Sequence, residues 1–66
     1  MQIYDFVEWE LKMLRDECNF SDEELQYFNL RAKHKSNVEI SLTMNVSEAQ
    51  VSKLAKRVKN KILKVI

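Results

Sequence analysis

Sixty-six residues leave room for one domain and for no deep catalytic cavity, because a chain this short buries only about 60% of the surface its unfolded form exposes. The sequence has no glycine and no proline, which argues against hairpin-rich folds whose tight turns need such residues. A net charge of +1 hides a strong polarity along the chain.

Residues 1–30 hold eight acidic side chains against Lys12 and Arg15, a net −6, while residues 31–66 hold nine basic side chains against Glu39 and Glu48, a net +7. A domain polarised in this way suits a polyanion at its C-terminal end. The rival reading is two solvated faces that attract each other. Cys18 is the single cysteine, so no internal disulfide is expected and the chain fits a reducing cytosol. No apolar run approaches the ~20 residues of a membrane span, and no signal peptide is visible at the start.

The elements read as four helices. Ile3, Val7, Leu11, Leu14 and Cys18 recur at helical spacing and predict a first helix over 2–18. Phe6, Trp9 and Met13 form a second apolar strip on it. That strip either covers the side of a small core or forms a dimer surface. Cys18 reads as a packed small hydrophobe rather than a reactive thiol, since no His or Cys stands near it in sequence.

Asn19-Phe20 breaks the chain, and Ser21-Asp22-Glu23-Glu24 is a capping box, in which a hydroxyl and a carboxylate satisfy each other's orphan amides. Phe20 is placed to staple against Leu25. The second helix is expected to run to about Lys33, burying Leu25, Phe28 and Ala32 and partly covering Tyr27 and Leu30. Ser36-Asn37-Val38-Glu39 is a second box, opening a short helix over 37–44. Asn45 is expected to end that helix, because Asn tolerates the left-handed conformation where Gly is absent. Ser47-Glu48-Ala49-Gln50 is a third box, opening a last helix that reaches about Val65.

This last helix is two-faced. Val51, Leu54, Ala55, Val58, Ile62 and Val65 form a stripe of about 100° for the core. Ala49, Lys53, Lys56, Arg57, Asn60 and Lys64 lie opposite, with no acid beyond Glu48. The segment Ser36–Leu54 therefore reads as helix, tight turn, helix, held by Ile40, Met44, Val46, Val51 and Leu54. Such a pair presents its second helix to a major groove, which admits one α-helix and exposes readable base edges. The expected base-reading residues are Ser47, Glu48, Ala49, Gln50, Ser52 and Lys53, since Gln pairs with adenine, Lys donates to guanine and Ala packs on a thymine methyl. Phosphate contacts are expected from Lys33, Lys35, Ser36, Asn37, Lys56, Arg57, Asn60 and Lys64. The start of the third helix is itself a phosphate site. Tight helix corners also occur in proteins that touch no nucleic acid. A membrane-surface role for the basic helix is disfavoured, because its apolar stripe lacks aromatics and is needed for the core.

These residues carry a family resemblance. From Phe20 to Ile62, without a gap, the chain resembles the tetrahelical helix-turn-helix group, meaning sigma factor region 4 and the LuxR-type output domains. The likeness rests on Phe20-Ser21 and Glu24, then Tyr27, Phe28 and Leu30, then Ser36-Asn37 with Glu39-Ile40, which matches the LuxR-type S-N-x-E-I, and finally Val46-Ser47 with Val51. His34 and Asn45 stand where glycines are usual, Ser41 where alanine is, and Gln50 where threonine is. LuxR-type domains add a dimerising helix after the recognition helix, whereas this chain carries its extra helix at the N-terminus, closer to sigma region 4. The resemblance implies promoter binding as a regulator, or contact with RNA polymerase.

Catalysis has little support. His34 is the single histidine, one Cys and one His make no four-ligand zinc set, and no Gly-rich loop exists to cradle phosphates. The sequence thus predicts one all-α, four-helix helix-turn-helix domain over 1–66, made of an N-terminal helix over 1–19 and a core over 20–66. It is expected to bind double-stranded DNA in transcriptional regulation, with no cofactor and no metal. A homodimer through Phe6, Trp9 and Met13 is expected, because a single small module binds weakly and symmetric half-sites reward a dimer. The alternative is a small adaptor or antagonist that binds RNA polymerase or another regulator through the same scaffold.

Overall fold

Helix starts in this chain are set by side-chain oxygens, and helix ends by residues that accept a left-handed backbone. The computed structural model describes residues 3–66. It contains a 3-10 turn at Ile3–Asp5 and four α-helices: α1 (Glu8–Glu17), α2 (Asp22–Ala32), α3 (Asn37–Met44) and α4 (Glu48–Val65). No strand occurs among the described residues. The fold is all-α, with extents of 29 × 19 × 18 Å.

Two of the three expected capping boxes close fully. The Ser21 hydroxyl accepts from the Glu24 amide at 3.4 Å, and Glu24 accepts from the Ser21 amide at 2.9 Å. Ser36 and Glu39 repeat the exchange at 3.2 and 3.1 Å. At the third, the Ser47 hydroxyl accepts from the Gln50 amide at 3.1 Å, while the return bond from Gln50 is not made. Each satisfied orphan amide contributes about 1 kcal/mol.

Among the described residues three non-glycine residues sit at positive φ: Asn19 (49°), His34 (65°) and Asn45 (58°). Each follows a helix, at the position where a left-handed residue turns the chain. At His34 the pattern is complete. The His34 amide donates to Arg31 O at 3.0 Å and the Lys35 amide to Leu30 O at 3.2 Å, the paired bonds of a Schellman ending. At Asn45 the Val46 amide reaches back to Ser41 O at 3.0 Å. A chain without glycine thus turns on Asn and His, residues enriched in this region of φ.

α4 is the axis on which the other elements pack. Val51, Leu54, Val58 and Ile62 are fully buried, each contributing about 1.5–3 kcal/mol relative to exposure. α2 and α3 both lie against α4. The rest of the core comes from Leu11, Leu14 and Cys18 of the first helical segment, Tyr27 and Phe28 of α2, Ile40 of α3, and Ile3. Met44 and Val46 are half-buried against this cluster, so the contacts expected to hold α3 to α4 form.

The structure corrects several details of the sequence reading. The first helix is not continuous over 2–18. It starts at Glu8, with Val7 extended at φ −81° and ψ 168° as its cap. Glu10 accepts from the Val7 amide at 3.0 Å, but valine offers no oxygen to complete a box. The reason is reach. Eight residues of helix would carry Ile3 about 12 Å beyond Leu11, past the core. The break instead returns the Ile3–Asp5 turn onto α2, burying Ile3 and leaving Val7 exposed. Tyr27 is more deeply buried than expected, and Leu25 only half-buried. Phe20 meets the Phe28 ring, centroids 5.0 Å apart. Val65, at the end of the predicted stripe, is exposed.

Candidate nucleic-acid interface

The residues expected to face DNA are arranged by α4 and by the corner before α3. α4 is straight in its periodicity: with one side fully buried, the opposite side is fixed in direction. Glu48, Ala49, Ser52 and Lys53 on its first turns are exposed, as are Lys56, Arg57, Asn60 and Lys64 further along. Gln50 departs from expectation, being half-buried at the edge of this face. Ser47 is exposed but its hydroxyl oxygen is engaged as the cap; the hydroxyl proton remains a donor.

The corner before α3 supplies a second group. Lys33, Ser36 and Asn37 are exposed and Lys35 is half-buried. Ser36 is engaged as the cap of α3. Lys35 faces Glu39 at 3.9 Å with both side chains largely open to solvent. A surface pair of this length is worth about 0–1 kcal/mol, so a phosphate can displace the carboxylate. Hydrogen bonds from the Ser36 backbone and then its side chain hold Glu39 below its ordinary pKa.

Not every base in the C-terminal half belongs to this face. Lys61 turns inward: its Nζ lies 2.5 Å from Glu24 Oε1 and 3.3 Å from Asn19 O. Glu24 is buried, and the hydrogen bond from Lys61, with that from the Ser21 backbone, holds its carboxyl below the usual value. Arg31 likewise works within the fold, donating to Lys35 O at 2.9 Å and lying over the Tyr4 ring at 5.6 Å. Tyr4 in turn faces the exposed His34 ring, centroids 4.4 Å apart. Nothing in the sequence marked Glu24 as the partner of Lys61, 37 residues away.

The three residues named as a dimer surface separate. Phe6 and Met13 are half-buried against the core. Trp9 is 68% exposed, and Val7, two residues before it, is exposed as well. α3 also presents apolar side chains to solvent: Val38 and Leu42, four residues apart on one helical face, with Leu42 76% exposed. Ser41, where the resembled families carry alanine, is buried, and its hydroxyl donates to Val38 O at 2.7 Å, so the substitution leaves no unsatisfied donor. Cys18 is buried and unpaired, and burial raises its thiol pKa. No helix among the described residues is long and apolar enough to cross a membrane.

No protein-family model matches the chain, and no curated protein or solved structure matches it at a significant level. The reading of this surface therefore rests on its residues.

Proposed function

We propose that the chain is a cytoplasmic transcriptional regulator that binds double-stranded DNA, with α4 in the major groove. One observation carries the reading. Lys53, Lys56, Arg57, Asn60 and Lys64 all lie exposed on α4, whose other face is locked into the core by four fully buried side chains. A rigid helix with a continuous basic face, and with the small residues Ala49 and Ser52 beside Glu48 at its tip, has the shape and charge to enter the groove. Its first turns would read bases, and Lys56, Arg57, Asn60 and Lys64 would hold phosphates, joined by Lys33, Lys35, Ser36 and Asn37 from the α3 corner. The likeness to sigma region 4 and LuxR-type domains points the same way. The protein acts as a homodimer, with the exposed Trp9 at the interface.

The test is binding to random-sequence duplex DNA at low salt, followed by selection of the bound sequences. Lys53→Ala and Arg57→Ala each weaken binding. About 4 neutralised phosphates give a log–log salt slope near −3.6. Absence of any duplex binding at low salt overturns the proposal.

A second reading has its own observation. The exposed Val38 and Leu42 pair on α3 would suit an adaptor or antagonist docking on RNA polymerase or another regulator. Such a partner would be lost with changes on α3 and kept with changes on α4.

A further inference from the structure

On the side of the molecule where the Ile3–Asp5 turn, α2, the start of α3 and α4 come together, there is a notch of about 220 Å³. Its apolar wall is Ile3, Ala55 and Ile62, and its polar groups are Tyr27, Arg31, Asn37 and Lys59. We propose that this notch binds a small aromatic monocarboxylate, of the benzoate class, with the ring against the isoleucines and the carboxylate toward Lys59 and the Tyr27 hydroxyl.

Size sets the class first. A cavity of about 150 Å³ lined by apolar side chains admits benzene, so this notch has space for a ring and one small polar group. Charge sets the sign. Among the described residues every polar lining group can donate, two are cations, and no carboxylate lines the notch. Lys59 makes no ion pair among the described residues, and its neighbours one turn away on α4, Ala55, Lys56, Ile62 and Leu63, include no acid. Arg31 is already held by Lys35 O and Tyr4 and contributes its positive field rather than a released donor.

Tyr27 supplies a donor at the notch. It is 5% exposed, yet its hydroxyl makes no hydrogen bond within the described residues. No fully enclosed side-chain oxygen among the described residues lacks a partner, so this hydroxyl reaches solvent, and Tyr27 lines the notch. Water can bond a phenol oxygen that solvent reaches, and a carboxylate in the notch is an acceptor that can take the place of that water. Burial raises the Tyr27 pKa, so the phenol keeps its proton at neutral pH and remains a donor. Asn37, the first residue of α3, adds an amide at the rim. The apolar wall disfavours a bare hydrated anion, and the cations disfavour a neutral arene.

The inference stands apart from DNA binding, and its test needs no DNA. Wild-type protein is titrated with sodium benzoate while the methyl resonances of Ile3, Ala55 and Ile62 are followed by NMR. Benzamide serves as the neutral control and sodium acetate as the ringless one. Benzoate is expected to shift those methyls saturably with a Kd on the order of 1 mM, the scale of a ligand this small. Both controls bind at least about tenfold more weakly. Lys59→Gln, at an exposed position that leaves the fold intact, weakens benzoate about tenfold, and Tyr27→Phe weakens it severalfold while a thermal melt confirms folding. Lys56→Gln, on the outward face, leaves binding unchanged. Absence of saturable shifts, shifts away from these methyls, equal binding of benzamide, or an unaffected Lys59→Gln variant each overturns the proposal.

Discussion

Glu24 Oε1 accepts two hydrogen bonds at once, from Lys61 Nζ at 2.5 Å and from the Ser21 amide at 2.9 Å. The N3 carboxylate of a helix cap is thereby also the anchor of a tertiary ion pair. It fastens the start of α2 to the C-terminal half of α4, and Lys61 extends the tie to Asn19 O. The chain's charge polarity is thus partly spent inside the fold, where a buried acid from the acidic half meets one base from the basic half.

This pair sets an acid limit on stability. Glu24 has a folded-state pKa below its ordinary value, through its bonds to Lys61 and Ser21. A depressed carboxylate contributes stability that is fully present above the unfolded value of about 4.3 and is lost as pH falls through the folded value. Thermal melts of wild type should therefore decline from about pH 5 downward more steeply than those of Glu24→Gln. At neutral pH Glu24→Gln should cost about 1–3 kcal/mol, the range for leaving a partly buried hydrogen-bonding group poorly matched. Parallel pH profiles for the two proteins would show that the pair does not govern the transition.

Asn45 is the second stability test. Its φ of 58° lies in the region that costs an ordinary residue about 1–2 kcal/mol. Asn45→Ala should lower stability by about 1 kcal/mol, and Asn45→Gly should match or exceed wild type, since glycine occupies this region without a Cβ clash. Chemical denaturation of the three proteins decides it. An alanine variant as stable as wild type would mean that the turn between α3 and α4 carries no such cost.

These two tests mark where the sequence was legible. Ser21, Ser36 and Ser47 gave the helix starts, because capping is a local chemistry of four residues. Asn45 gave the turn, and the periodicity of α4 gave its buried stripe, because helical spacing is also local. The break at Val7 was not legible: Ile3 and Val7 fit the helical stripe, and only the position of α2 in space decides that Ile3 must fold back. Lys61 was not legible for the same reason, since its partner lies far away in sequence. The exposed face of α4 was readable residue by residue, apart from Gln50 at its edge. The notch between Tyr27 and Lys59 was not, because it joins residues from four elements and follows no single spacing.

The dimer depends on Trp9. A tryptophan 68% exposed offers a large apolar side chain that a partner would cover. Sedimentation of wild type should report a dimer in the micromolar range, and Trp9→Ala should shift it to monomer, since hot-spot truncations cost about 2 kcal/mol or more. Met13→Ala should act chiefly on stability, because Met13 packs against the core. A wild type that stays monomeric at high micromolar concentration removes the homodimer.

The two functional readings place their demands on different helices, and that separates them. Arg57 lies on the outward face of α4 and Leu42 on the exposed face of α3. Neither side chain is buried, so Arg57→Ala and Leu42→Ser should both leave the fold within about 0.5 kcal/mol of wild type. If DNA is the target, Arg57→Ala weakens duplex binding and reduces the magnitude of the salt slope by about 1, while Leu42→Ser leaves both unchanged. If α3 docks on a protein, capture of purified RNA polymerase is lost with Leu42→Ser and survives Arg57→Ala. Loss of DNA binding with Leu42→Ser alone would count against α4 as the recognition helix, because an apolar side chain on α3 would then carry what the basic face is proposed to do.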